Sequence, residues 1–336
     1  MYHRRKFIQS LAALTVLPAF AKAAQQPKAS LLSVTGWVKP GTTGYILPHE
    51  HVLVDFIGAE KITKDRYNTE EVVKAALPRL MELKQQGCTT MLECTPAYIG
   101  RNAALLQRLS KETGLTILTN TGYYGAAGEK YYPAHAYTET AGQLAQRWIT
   151  EFEQGIDGTG IKPGFIKLGA DKAPITETQR KTVHAAALTH LKTGLKIGMH
   201  TGDGPAAEQE LAILLEHGVA AENFIWIHAQ NEKDFSFYKR LASQGCWIEF
   251  DGIGNTTLTE NLQRLQYMQS EKLLHKVLLS QDSGWYHVGE AGGGSYNGYT
   301  SIFTHFLPLL RSNNFKEAEI DMLMKENPVK AYGMAG

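Results

Sequence analysis

"TEEVVKAALPRLMELKQQG", residues 69–87, runs through Cys88 into "TTMLECT", residues 89–95. In the first segment Val72, Val73, Ala76, Leu80 and Leu83 recur at helical spacing, and Gly87 supplies the stop. The second is a short run of strand-forming residues. One amphipathic helix, one glycine and one strand make a phrase, and the fold depends on whether it repeats.

It repeats along the chain. "NAALLQRLSKETG" (102–114) leads to "LTILTN" (115–120), and "ETAGQLAQRWITEFEQG" (139–155) precedes "GFIKLG" (164–169). "TETQRKTVHAAALTHLKTG" (176–194) leads to "LKIGMHTG" (195–202), and "AAEQELAILLEHG" (206–218) to "NFIWIHAQ" (223–230). "DFSFYKRLASQG" (234–245) leads to "CWIEFDG" (246–252), and "LTENLQRLQYMQS" (258–270) to "KVLLSQDSG" (276–284). With the opening run "LPHEHVLVDF" (47–56), this gives eight strands alternating with helices. That pattern argues for a parallel sheet, and eight units fit a closed (β/α)₈ TIM barrel of the α/β class better than an open sheet. No linker marks a second domain, so residues 24–336 are expected to form one barrel domain with a long loop after strand eight.

The 336 residues carry a formal net charge of +1 and are 43% hydrophobic, as in a soluble globular chain. Neither a basic nor an acidic excess points to nucleic acid or an anionic membrane surface. Cys88, Cys94 and Cys246 lack disulfide-framework or zinc-ribbon spacing and read as inert thiols. Residues 1–23 differ from the rest. Arg4-Arg5, a short apolar stretch and Ala21-Lys22-Ala23 have the layout of a secretory signal with an Ala-x-Ala cleavage site. The paired arginines resemble a twin-arginine export signal, although His3 and Gln9 depart from its commonest form. The mature protein is therefore expected in the periplasm or secreted, with no membrane span.

Barrels of this kind place their chemistry at the C-terminal strand ends. His49 and His51 end strand one, Lys167 lies in strand four, His200 ends strand five, His228 ends strand six and Asp282 ends strand eight. His49 and His51, two apart on a strand, face the same way while Glu50 faces the other. Imidazoles and a carboxylate converging on one mouth suit zinc or a similar divalent ion. Lys167, between Ile166 and Leu168, points inward, where an unpaired ammonium is expensive. A salt-bridged lysine or a Schiff-base lysine are the alternatives for it.

"HEH", "FIKLG", "GMHTGDG", "FIWIHAQ" and "LLSQDSGW", in that order, resemble the motifs of the phosphotriesterase family in the amidohydrolase superfamily. The likeness extends through "GCTTMLECTPAYIGR" and "QGIDGTGIKPGFIKLG" and covers essentially the whole mature chain. It implies a centre of two divalent ions, zinc first among them. His49, His51 and Asp282 would hold the more buried ion, His200 and His228 the more exposed one. Lys167, carboxylated by CO₂ to a carbamate, would bridge both. It also implies hydrolysis of an ester-like bond by a hydroxide held between the ions, with Asp282 as the catalytic proton acceptor.

The loops choose the substrate. Tyr124 resembles the tyrosine of lactonase-like members, standing where dedicated triesterases carry tryptophan. Trp285 and His287, with Tyr286, are expected to offer a polar rim to a small-molecule lactone or carboxylic ester. "EFDGIGN" lacks the arginine that follows this aspartate in many relatives. Organophosphate triester hydrolysis is the alternative within the class, and a non-catalytic metal or ligand-binding barrel the alternative outside it. Glu93 and Asp251 read equally as partners of ligand histidines or as core hydrogen-bonding residues. His184, His190, His217 and His275 read as surface residues of helices, and "GEAGGGSYNG" (289–298) as a mobile lid. A homodimer is one assembly the chain admits.

Overall fold

A computed structural model of the protein describes residues 30–39 and 44–334, and the expected export signal lies outside them. The alternation read from the sequence is realised as a barrel. Its strands are β1 (Tyr45–Glu50), β2 (Cys88–Glu93), β3 (Thr116–Leu118, resuming as Asn120–Thr121) and β4 (Phe165–Ala170). β5 (Ile197–Thr201), β6 (Phe224–Ile227), β7 (Trp247–Phe250) and β8 (Val277–Leu279) complete it. Parallel ladders join β1 through β2 to β3, and β3 in order through β8. The circle closes where β8 meets β1. His49 N donates to Ser280 Oγ at 3.0 Å, Asp282 N to His49 O at 3.1 Å, and His51 N to Ser283 O at 2.8 Å.

The outer helices are α1 (Thr69–Gln85), α2 (Ala103–Thr113), α3 (Ala141–Gln154), α4 (Glu177–Thr193), α5 (Gly204–Glu216), α6 (Ser236–Gln244) and α7 (Leu258–Ser270). Local chemistry fixes their ends. Asn68 caps α1, with Glu70 and Glu71 in its first turn and Lys84 in its last, each matched to the helix dipole. Thr140 with Gln143 and Thr176 with Gln179 form capping boxes on α3 and α4. Gly194, at φ +76°, ends α4 in the left-handed conformation that other residues enter at a cost. Among the described residues no helix is long and apolar enough to cross a membrane.

Apolar side chains pack in two places. One large cluster lies between strands and helices. A smaller one fills the barrel: Ile46, Leu92, Leu118, Phe165, Ile225, Trp247 and Leu278, with Tyr332 entering from the terminal helix Asn327–Tyr332. Burying each such side chain is worth roughly 1.5–3 kcal/mol. This plug also forms a dry floor, above which the inward positions of the same strands turn polar: Lys167 follows Phe165 on β4, and Glu249 follows Trp247 on β7.

The segment expected to be a mobile lid, residues 289–298, leaves most of its own residues exposed, with Gly293 buried and Tyr296 half-buried, and is anchored at its two ends. Tyr286–His287 pairs in parallel with Leu53–Val54. Tyr299 is fully buried and donates to His51 O at 2.6 Å, while Asn297 N bonds Gly284 O at 2.8 Å. The buried flanking tyrosines, Tyr286 and Tyr299, thus fix where the glycine-rich loop leaves and rejoins the barrel. Of the four helix histidines, His275 is exposed, whereas His184, His190 and His217 are half-buried.

Candidate metal centre

β1 delivers the first two histidines through a break in regular pairing. Its ladder with β2 matches Leu47 to Met91 and Glu50 to Glu93, three steps against two, so one extra residue is accommodated. Without it, His49 would share the outward face of Leu47, because Ile46 already points into the barrel plug. Pro48, which has no N–H to contribute to a ladder, stands in the bulge. His49 and His51 then face the same way, as alternation requires, with ring centroids 5.3 Å apart. Glu50 turns the other way and accepts from Ser280 Oγ, Gln281 N and Ser283 N.

Each imidazole at the mouth except His200 is gripped by its Nδ1. His49 Nδ1 lies 2.9 Å from Glu249 Oε1 and 3.2 Å from Asp251 Oδ2. His51 Nδ1 bonds Thr95 Oγ1 at 2.7 Å, and that hydroxyl donates to Glu93 Oε1 at 2.6 Å. His228 Nδ1 bonds Asp251 Oδ1 at 2.6 Å. Holding Nδ1 leaves Nε2 to face the cavity, as carboxylate-oriented histidines do in metal sites. His200 lies against His228, with ring centroids 4.3 Å apart, and has the Tyr124 hydroxyl 3.1 Å from its Nδ1. Burial lowers the His49 pKa to about 4, nearby Asp251 opposing and Lys167 assisting. Burial, then His228 and Lys167, drives His200 well below the ordinary value. Both rings are therefore neutral near pH 7, the form in which imidazole binds metal.

Asp282 completes the cluster. Its Oδ1 sits 3.0 Å from His51 Nε2 and 3.7 Å from His49 Nε2. Burial would raise its carboxyl, but the His51 ring beside it and the positive charge that His49 takes up at low pH prevail and hold it down to about 2. His49 Nε2 and Asp282 Oδ1 are both buried without a hydrogen-bond partner. Two orphaned polar atoms facing one point, with a third donor beside them, fit a cation. His49, His228 and Asp251 also lie close together, but Asp251 is committed to the His228 ring and backbone and to Gln230.

Lys167 is 2% exposed and points into the same space, its Nζ 5.8 Å from the Tyr124 ring centroid. Among the described residues it has neither a carboxylate within 4.0 Å nor a hydrogen-bond partner, which removes the salt-bridged alternative. The backbone is strained here too. His228, Asp282 and Trp285 hold φ of +60°, +52° and +77°, each a conformation costing about 1–3 kcal/mol outside glycine.

Over the cluster is a cavity of about 160 Å³, walled by Phe56, Ile99, Tyr124, Tyr131 and Trp285. Of the three expected substrate residues, Tyr124 and Trp285 reach it. His287 stands behind Trp285, its ring 6.1 Å away and nearly parallel. The expected polar rim is not there. Trp285 Nε1 is spent on Asp282 O at 2.6 Å, and Tyr286 donates to Glu71 on α1. Composition names donors but not their direction.

The sequence profile of the phosphotriesterase family matches residues 29–332. The chain belongs to the phosphotriesterase family. It is 32% identical over 294 residues to the phosphotriesterase homology protein of Escherichia coli, covering 86% of this chain and 98% of that one. The solved organophosphorus hydrolase of Deinococcus radiodurans superposes with a TM-score of 0.82 at 27% identity, over 92% of this chain and 98% of that one. A structure described as organophosphate hydrolysis engineered from a weak promiscuous lactonase template gives 0.81 at 27% identity, over 90% and 100%. This chain is accordingly a metal-dependent hydrolase, and its family works with a binuclear centre. Sequence reasoning left Asp251 and Glu93 undecided and did not single out Glu249, Thr95 or the role of Glu50. The one signal was the i, i+2 spacing of Glu249 and Asp251, which puts both carboxylates inside.

Proposed function

We propose that the chain hydrolyses a carboxylic ester, a lactone above all, at a centre held by His49, His51, Lys167, His200, His228 and Asp282. His49, His51 and Asp282 would hold one ion, His200 and His228 the second. Lys167, as a carbamate formed with CO₂ and loss of a proton, would serve both, since an ammonium has no lone pair to give. Two divalent ions, zinc in this reading, would supply an acidified water and polarise the substrate's carbonyl oxygen. Asp282, ionised and beside both strand-one histidines, is the group placed to take the proton of the attacking water.

The observation that carries the ester reading is the Tyr124 hydroxyl in the cavity wall, 3.1 Å from His200 Nδ1. Tyr124 puts a hydroxyl beside His200, Tyr131 is a second phenol of the wall, and Phe56, Ile99 and Trp285 give it an apolar remainder. That suits a substrate with one polar reacting group and an apolar body, in a space of about 160 Å³. The apolar wall also favours aryl phosphotriesters, so the two must be compared directly. On a lactone panel kcat/KM is expected to exceed that on an aryl phosphotriester, and Tyr124→Phe to lower only the lactone value. A clear preference of the parent for the phosphotriester overturns the assignment.

We also propose that the protein acts after export, in the periplasm or outside the cell. The support is Arg4-Arg5, the apolar run and Ala21-Lys22-Ala23. N-terminal sequencing of native protein should start just after Ala23, and a start at Met1 would refute export by this signal.

A further inference from the structure

We propose that Glu249 is a positioning residue for His49, tying the metal centre to the terminal helix through Tyr332. The inference rests on the reading of His49 as a ligand of the buried ion.

Glu249 is an anomaly inside the barrel. It is fully buried, and it faces inward between the apolar plug, where Trp247 and Tyr332 sit, and the polar mouth. A carboxyl group there costs several kcal/mol unless its partners repay the lost water. Its partners are specific. Oε1 lies 2.9 Å from His49 Nδ1, and Oε2 accepts from the Tyr332 hydroxyl at 3.2 Å. Two hydrogen bonds thus link the last helix, the middle of the barrel and a ring at the mouth.

Asp251 does not make Glu249 redundant. Its Oδ1 serves the His228 ring and Gln230, both at 2.6 Å, and its Oδ2 takes the His228 backbone N–H at 2.9 Å. Its contact with His49 Nδ1, at 3.2 Å, is the longer of the two that ring makes. The labour is divided: Asp251 sets His228, and Glu249 sets His49. By its shorter bonds Asp251 serves chiefly the ring assigned to one ion, and Glu249 the ring assigned to the other.

This division predicts selective effects. Glu249→Met has similar length and no acceptor, and it removes a buried polar group without opening a large cavity. In it the ion at His49, His51 and Asp282 should bind roughly 10–100-fold more weakly, the usual cost of losing such a partner. The ion at His200 and His228 should bind as in the parent. Asp251→Asn should show the reverse preference. Glu249→Gln, whose amide oxygen can accept from Nδ1, should restore most of the affinity. Tyr332→Phe should weaken the same ion as Glu249→Met, by less.

The experiment is chelator competition on the purified full-length variants, reading the two affinities separately, with thermal unfolding of the metal-free forms as the control for folding. The expected result is loss of one ion in Glu249→Met and rescue in Glu249→Gln. Two unaltered affinities in Glu249→Met overturn the proposal, as does equal weakening of both. Should Glu249→Met not fold, Tyr332→Phe decides: unchanged affinities there overturn it. The centre itself is checked by His49→Ala. If that variant still binds both ions like the parent, the ligand assignment is at fault, not the role of Glu249.

Discussion

Glu50, the middle residue of the His-x-His run, is expected to matter as much as either histidine, and for a different reason. It is fully buried behind β1 and accepts from Ser280 Oγ at 2.8 Å, Gln281 N at 3.1 Å and Ser283 N at 2.8 Å. Those residues flank Asp282, whose φ of +52° is a strained conformation that something must enforce. Glu50→Val strands two buried donors and one half-buried donor, at about 1–3 kcal/mol for each buried one before relaxation. Relief of the buried carboxyl's own desolvation offsets part of that. Unmade donors at that cost, less the offset, leave a net loss of about 2–5 kcal/mol. For a chain of 336 residues each kcal/mol shifts Tm by about 1.5–2 °C, so a fall of roughly 3–10 °C is expected. Released from Glu50, Asp282 should relax from its position and metal content should fall. Glu50→Gln should be intermediate, since its amide can satisfy one side of the fork while its N–H faces another N–H on the other. Calorimetry of the metal-free protein and elemental analysis of the loaded protein check this. A Glu50→Val variant within 1 kcal/mol of the parent and with full metal content refutes the reasoning.

Two further outcomes follow from buried groups. Lys167→Ala should lose most metal and turnover, small carboxylic acids should restore part of both, and the native parent should release CO₂ on acidification; two tightly bound ions with full turnover in the alanine variant contradict the bridge. Glu210 on α5 is fully buried, accepts from Thr201 Oγ1 at 2.7 Å, and has its Oε1 unpartnered, and burial raises its pKa well above 4.5. The folded chain then keeps a proton that the unfolded chain releases above about 4.5, so stability falls as pH rises through that window toward the folded pKa. Glu210→Gln should flatten the decline between pH 5 and pH 8 in urea titrations, and an unchanged slope would show that Glu210 is not its source.

The fold was legible because its punctuation is local. Amphipathic spacing recurs in each unit and a closing glycine in all but the last, and the short apolar runs between them read as buried strands. The ligand candidates were legible for a related reason: barrel topology sends every strand end to one rim, so residues such as His200 and Asp282 meet wherever they stand in the chain. What alternation could not supply was the parity of β1. Ile46 and His49, three residues apart, both point inward, and only the bulge around Pro48 permits it. A bulge belongs to a pair of strands, and one strand's sequence records it at most by a residue that cannot donate.

The holders of the ligands were illegible for a stronger reason. His49 and Glu249 are 200 residues apart, and nothing local to either names the other. Thr95 reached the centre only because the chain after β2 passes under His51, and Glu50 because β8 closes on β1. The wall shows the same limit in reverse. Trp285 and Tyr286 are amphipathic residues in a glycine-rich loop, which reads as a wet rim. Their polar atoms instead bond Asp282 O and Glu71, because a loop that buries Tyr299 and pairs with Leu53–Val54 has donors to satisfy within the protein. What remains for a substrate are the phenols of Tyr124 and Tyr131, and of these Tyr124 stands beside His200. The chemistry of such a site is therefore written at strand ends, whereas its rigidity and its substrate preference depend on contacts between segments far apart in sequence.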